Sequence, residues 1–108
     1  MEEPLEREET LKRVVEELNR RGYTEHFWAI DGALQALGTG QRFDPKDLAI
    51  RGYYRFEGVS DPDDMAIAYA IETSSGVRGV LVDAFGVYAD PTTREVLKNV
   101  PILGKSAA

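Results

Sequence analysis

Apolar residues near the amino end recur at helical spacing. Leu11, Val14, Val15 and Leu18 fall at i, i+3, i+4 and i+7, which places them in one stripe of an α-helix between Pro4 and Arg21. Glu2, Glu3, Glu6, Glu8 and Glu9 stand toward its amino end and Arg20 and Arg21 at its carboxyl end, the sense that the helix dipole favours. Gly22 supplies a carboxyl cap, and Tyr23 beyond it is placed to fold back onto Leu18.

The period then shortens to that of a strand. Residues 25–30, EHFWAI, are aromatic and branched and end at Asp31-Gly32, a dipeptide of tight hairpin turns, so a second strand should return from it. The return, ALQAL at 33–37, is ambiguous: its composition prefers helix, while Gly38-Thr39-Gly40 leaves little length for one, and tertiary context must decide. Phe43-Asp44-Pro45-Lys46-Asp47 reads as a turn or a single helical turn opened by proline, and LAIRGYYRFEG resumes strand character. The turn-forming residues of GVSDPDD at 58–64 make a loop.

A central hairpin follows. Met65, Ile67, Tyr69 and Ile71 alternate with Ala66, Ala68 and Ala70, and Thr73-Ser74-Ser75-Gly76 turns the chain into VRGVLVDAF. A type I turn with Gly76 in the left-handed conformation sets Glu72 opposite Arg78 and Tyr69 opposite Leu81; a two-residue turn at Ser75-Gly76 would exchange the facing sets. Alanines on one face of the first strand let a helix or another subunit approach closely. Asp90 as amino cap and Pro91 as first helical residue open a short helix with Val96, Leu97 and Val100 on its apolar side.

The expected fold class is therefore α+β. An amino-terminal helix, an antiparallel sheet of four to five strands and a short carboxyl-terminal helix make one domain over residues 1–100, with 101–108 as a tail. Short connections favour a meander over crossovers.

Composition narrows the function classes. A chain of 108 residues with 43% hydrophobic content suits one domain with a real core, and no repeat or low-complexity stretch divides it. With no cysteine there is no disulfide framework, thiolate metal site or thiol nucleophile, which fits a reducing cytoplasm. MEEPLEREE lacks the apolar run of a secretory signal, and no stretch is long and apolar enough to span a membrane. The net charge of −6 argues against nucleic acid as a partner, since Arg13, Arg20 and Arg21 lie among Glu16 and Glu17 on a solvated helix face.

Candidate chemistry centres on Asp83, which interrupts the apolar run GVLVDAFG. A carboxylate in such a strand must be hydrogen-bonded, paired or protonated. Arg55, in the apolar YYRFEG, is the expected partner, with Glu57 two residues on along the same strand face. Arg55, Glu57 and Asp83 can serve as a structural ion-pair cluster or, alternatively, as a polar-ligand or acid/base site. Asp61, Asp63 and Asp64 offer oxygens to a hard cation, but from Asp61 the glycine and glutamate positions of a calcium loop fall on Ala66 and Glu72, so turn chemistry explains them better. His26 has no Ser or Cys partner at a recognisable turn and reads as a half-buried strand residue, and Trp28, Tyr53, Tyr54, Tyr69 and Tyr88 read as core before they read as a pocket or partner surface. Gly104-Lys105-Ser106 is no phosphate loop, because Asn99 stands where its first glycine belongs. Val80 to Gly86 matches the strand and acidic loop of a phosphoribosyl pyrophosphate site but lacks the second acid and the Thr-Gly-Gly cradle.

YRFEG (Tyr54 to Gly58), S-x-PDD (Ser60 to Asp64), YAI (Tyr69 to Ile71) and G-x-x-G-x-LVDA-x-G-x-Y-x-D (Gly76 to Asp90), preceded by a helix ending in Gly22-Tyr23, form one pattern from about Leu11 to Asp90. In this the chain resembles a family of small, uncharacterised bacterial proteins often labelled phosphoribosylpyrophosphate synthetase. The resemblance brings no catalytic residues with it. The reading that follows is a small cytoplasmic binding or interaction domain without a cofactor, able to form a homodimer through a sheet edge or the alanine face. The alternative is a ligand-binding or enzymatic domain acting on a phosphorylated nucleotide or sugar, with Arg55 as anion clamp and Glu57 and Asp83 as acid/base groups.

Overall fold

The helical stripe builds α1 (Leu11–Arg20), which buries Val14 and Leu18. Gly22 N–H donates to Asn19 O and Tyr23 N–H to Leu18 O, the paired bonds of a Schellman cap, and Tyr23 packs in the cluster that holds Leu18. In this computed structural model the described residues are 11–56, 66–84 and 90–103. They also form strands β1 (Glu25–Ile30), β2 (Ala33–Ala36), β3 (Arg42–Phe43), β4 (Leu48–Phe56), β5 (Ala66–Thr73) and β6 (Arg78–Ala84), and a second helix, α2 (Pro91–Leu97).

Local turn chemistry sets the hairpins. Asp31 (φ 50°) and Gly32 (φ 79°) make the type I′ turn between β1 and β2, so ALQA is a strand despite its helical composition: Leu34 and Ala36 are buried across from Ala29 and Phe27. Phe43, expected in the turn, instead ends β3 and pairs with Leu34; the turn is the single 3-10 turn Pro45–Asp47. Between β5 and β6, Gly76 (φ 94°) closes a three-residue loop in which Thr73 N–H donates to Val77 O and Thr73 Oγ1 accepts from Val77 N–H. Glu72 therefore faces Arg78 and Tyr69 faces Leu81.

The sheet is mixed and six-stranded, in the order β3-β2-β1-β6-β5-β4, which corrects the expectation of a four- to five-stranded antiparallel meander. Each half is a meander, but β1 and β6 run parallel at Glu25↔Gly79 and His26↔Val80. This joint unites strands far apart in sequence, so no turn signal announces it. It also forces the sheet to curl. The five Cα steps from Phe43 to Leu48 reach at most ~19 Å, whereas the edges of a flat six-stranded sheet stand ~24 Å apart.

Curling gives an inner and an outer face. The inner face holds the main core, with Phe27, Leu34, Ile50, Ile71 and Leu81 packed against Val96 and Val100 of α2 and its exit. On the outer face α1 lies across β5 and β6, setting Val14 and Leu18 against Ala68, Ala70 and Val80. The alanine face thus takes α1 and not a second subunit, because Ala68, fully buried, leaves room for a helix backbone. Asp90 caps α2, accepting from Thr92 N–H and from the hydroxyl of buried Thr93. Beyond α2, part of the expected tail is tied down: Ile50 N–H donates to Pro101 O (2.9 Å) and Leu103 N–H to Ile50 O (2.8 Å), which sets Ile102 parallel beside β4.

Candidate functional site

Asp83 and Arg55 share the inner face, yet they are not cross-strand neighbours. Both are paired with Ile67, Arg55 from β4 and Asp83 from β6, so β5 runs between them and their backbones stand about 10 Å apart, two strand spacings. Asp83, half-buried, is held by the chain itself: Oδ1 accepts from Ala84 N–H (2.7 Å) and Asp90 N–H (3.1 Å). These hydrogen bonds tie the end of β6 to the entry of α2. Glu57, Asp61, Asp63 and Asp64 lie outside the described residues; among those described, no cluster of three or more acidic, histidine or cysteine side chains is arranged to hold a metal ion.

Two tyrosines share this face with Asp83. Tyr53 and Tyr69 face each other across β4 and β5, ring centroids 6.5 Å apart and tilted by 46°. Asp83 and Arg55 are the diagonal neighbours of Tyr69 on its two sides, within reach of an aromatic side chain. Burial raises the Tyr69 phenol above its ordinary value; the Asp83 carboxylate and Tyr53 add to the rise, and Arg94 of α2 opposes it. Tyr53, Tyr69 and Asp83 are half-buried and Arg55 is exposed, so this end of the inner face opens to solvent. The sequence signal was the shared parity of Ile67, Tyr69 and Ile71, which becomes a constellation only once the hairpin register is fixed.

The outer face shows what an isolated reading of the aromatics misses. Phe27 points into the core, so Trp28 points outward, beyond the part of the sheet that α1 covers, and is 49% exposed. Its indole N–H donates to Gln35 Oε1 at 2.8 Å. Val82, 43% exposed, stands two residues past Val80 as Trp28 stands two past His26, so Trp28 and Val82 lie on the outer face beyond the His26↔Val80 pair. His26 is exposed rather than half-buried. Charges on this side are matched: Arg42 lies 3.7 Å from Asp31, and Glu72 lies between Arg51 (3.6 Å) and Arg78 (3.7 Å), whose guanidinium stacks over Tyr23. On α1, Arg20 and Arg21 both bind Glu17, lowering its pKa through the Arg20 hydrogen bond first, as a solvated face requires. No helix among the described residues is long and apolar enough to cross a membrane. Comparison with protein-family models, curated proteins and solved structures finds no match, so the functional argument rests on the residues of this chain.

Proposed function

We propose that this chain is a small interaction module that pairs with a second copy of itself through the uncovered outer face of β1, β2 and β6. The observation that carries the reading is the exposure of Trp28 and Val82, large apolar side chains on the outer face of β1 and β6. The hydrogen bond to Gln35 holds the Trp28 ring in place, so docking on it costs little side-chain entropy. The net charge of −6 makes two copies repel over most of their surfaces, but among the described residues of this patch the acid Asp31 is matched by Arg42, so the repulsion is weakest there. A twofold contact is isologous, so Trp28 and Val82 of each copy would be covered by the same face of the other.

Sedimentation velocity across micromolar concentrations tests this. The native chain should sediment as a dimer and Trp28→Glu as a monomer with an unchanged circular dichroism spectrum. A native chain that stays monomeric at 100-fold higher concentration, or a Trp28→Glu variant that remains dimeric, would refute the reading.

A further inference from the structure

We infer that the self-pairing face is regulated by pH through His26, whose protonation releases the second copy. This rests on the pairing proposed above and adds its regulation. His26 is the single histidine of the chain, and imidazole is the side chain whose charge ordinarily changes between neutral and mildly acidic pH. On β1 it has the parity of Trp28, two residues on, so both side chains rise from the outer face, and both are exposed. Leu37, 60% exposed, donates its N–H to His26 O at 2.8 Å and so stands beside it across β2, while Val80 of β6 is its partner on the other side. The surface offered to a second copy is therefore Trp28, Leu37 and Val82 with an imidazole among them.

A neutral imidazole can be covered by an apolar surface, whereas an imidazolium needs a carboxylate or water. Isologous pairing decides what it meets, because the surface that covers His26 is the same face of the second copy. On that face β2 brings the uncharged Gln35 and Leu37. From β6 comes Arg78, two residues before Val80, a like charge already held by Glu72 and Tyr23. Asp31, in the turn after β1, is matched by Arg42 of β3. Glu25, on the opposite face of β1, accepts through Oε1 from the backbone N–H groups of His26 and Gly38. The helices bring no partner either: α1 lies over β5 and β6 with Arg20 and Arg21 bound to Glu17, and α2, carrying Arg94, Glu95 and Lys98, packs on β1 from the inner face. Protonation thus puts one unpaired charge per copy into the contact. Its sign of effect is distinctive, since a chain of net charge −6 loses negative charge as pH falls and would by that alone pair more tightly.

Sedimentation velocity of the whole chain at pH 8 and at pH 5.5, at equal ionic strength and with a circular dichroism spectrum recorded at each, tests this. The native chain should be dimeric at pH 8 and lose affinity for its copy by about tenfold or more at pH 5.5, with an unchanged spectrum. His26→Gln keeps a neutral side chain at both values, so whatever its affinity at pH 8, it should lose none at pH 5.5. A native dimer as tight or tighter at pH 5.5 would overturn the inference and leave the pairing standing. So would a His26→Gln variant that loses affinity as the native chain does, because another group would then carry the effect. A native chain monomeric at both pH values would overturn the pairing and the inference together, so the two failures are read apart.

Discussion

Gly79 of β6 lies directly against Glu25 of β1: a Cβ on Gly79 would overlap the Glu25 carbonyl oxygen and stand 2.7 Å from Phe27 Cε2. This contact is one of the two parallel pairs that unite the halves of the sheet. Gly79→Ala must push β1 and β6 apart or displace the buried Phe27 ring. The expected cost is about 1–3 kcal/mol, seen as a fall in melting temperature by circular dichroism. A Gly79→Ala variant with native stability would show that the β1–β6 joint tolerates wider spacing.

Ala68, fully buried beneath α1, sets how closely that helix approaches the sheet. Ala68→Leu inserts three carbons where Val14 and Leu18 already pack, and should destabilise by about 1–3 kcal/mol while loosening α1 first. Hydrogen exchange checks the order: amides of α1 should lose protection before those of β4 and β5.

Asp90 supports α2 from both carboxylate oxygens, one accepting from Thr92 N–H and the other from the Thr93 hydroxyl. Asp90→Ala orphans a buried hydroxyl as well as the cap and should cost about 1–2 kcal/mol in chemical denaturation. Asp90→Asn, which retains an acceptor oxygen, should recover most of that loss.

Tyr69 gives a pH dependence with a definite sign. Its folded pKa is raised by burial first and then by Asp83 and Tyr53, so the folded state holds the proton more tightly than the unfolded chain. That contribution is fully present below the unfolded pKa near ~10 and is lost as pH rises through the folded value. Urea denaturation of native chain and Tyr69→Phe should run in parallel at neutral pH. Above pH ~10 the native chain should lose stability faster than the variant; equal slopes would mean that the phenol is not held neutral by its surroundings.

Much of the local structure is legible from residue order. The Gly22-Tyr23 cap, the Asp31-Gly32 turn and the Asp90-Pro91 helix start each depend on backbone chemistry within a few residues, and each stands where its signal places it; of the two β5–β6 registers that the residue order allows, the fold takes the one with Gly76 left-handed. The candidate site was legible only by halves. Asp83 was visible as a carboxylate in an apolar strand, but Arg55 proved to be one strand too far to face it directly, because the distance between them is set by β5 and not by spacing along the chain.

The sequence by itself determined α1, β1 with its Asp31-Gly32 turn, the strands on either side of residues 74–76 and α2 with its cap, and that an alanine face would accept a close neighbour. Tertiary structure alone decided that ALQA is a strand, that α1 is that neighbour, that β1 and β6 meet in parallel, and that Trp28 is exposed while Asp83 lies diagonal to Tyr69. The division has a physical cause. Turns and caps are satisfied by hydrogen bonds between near residues, whereas strand order and exposure follow from burying one common core, a condition that every segment meets only together with the others.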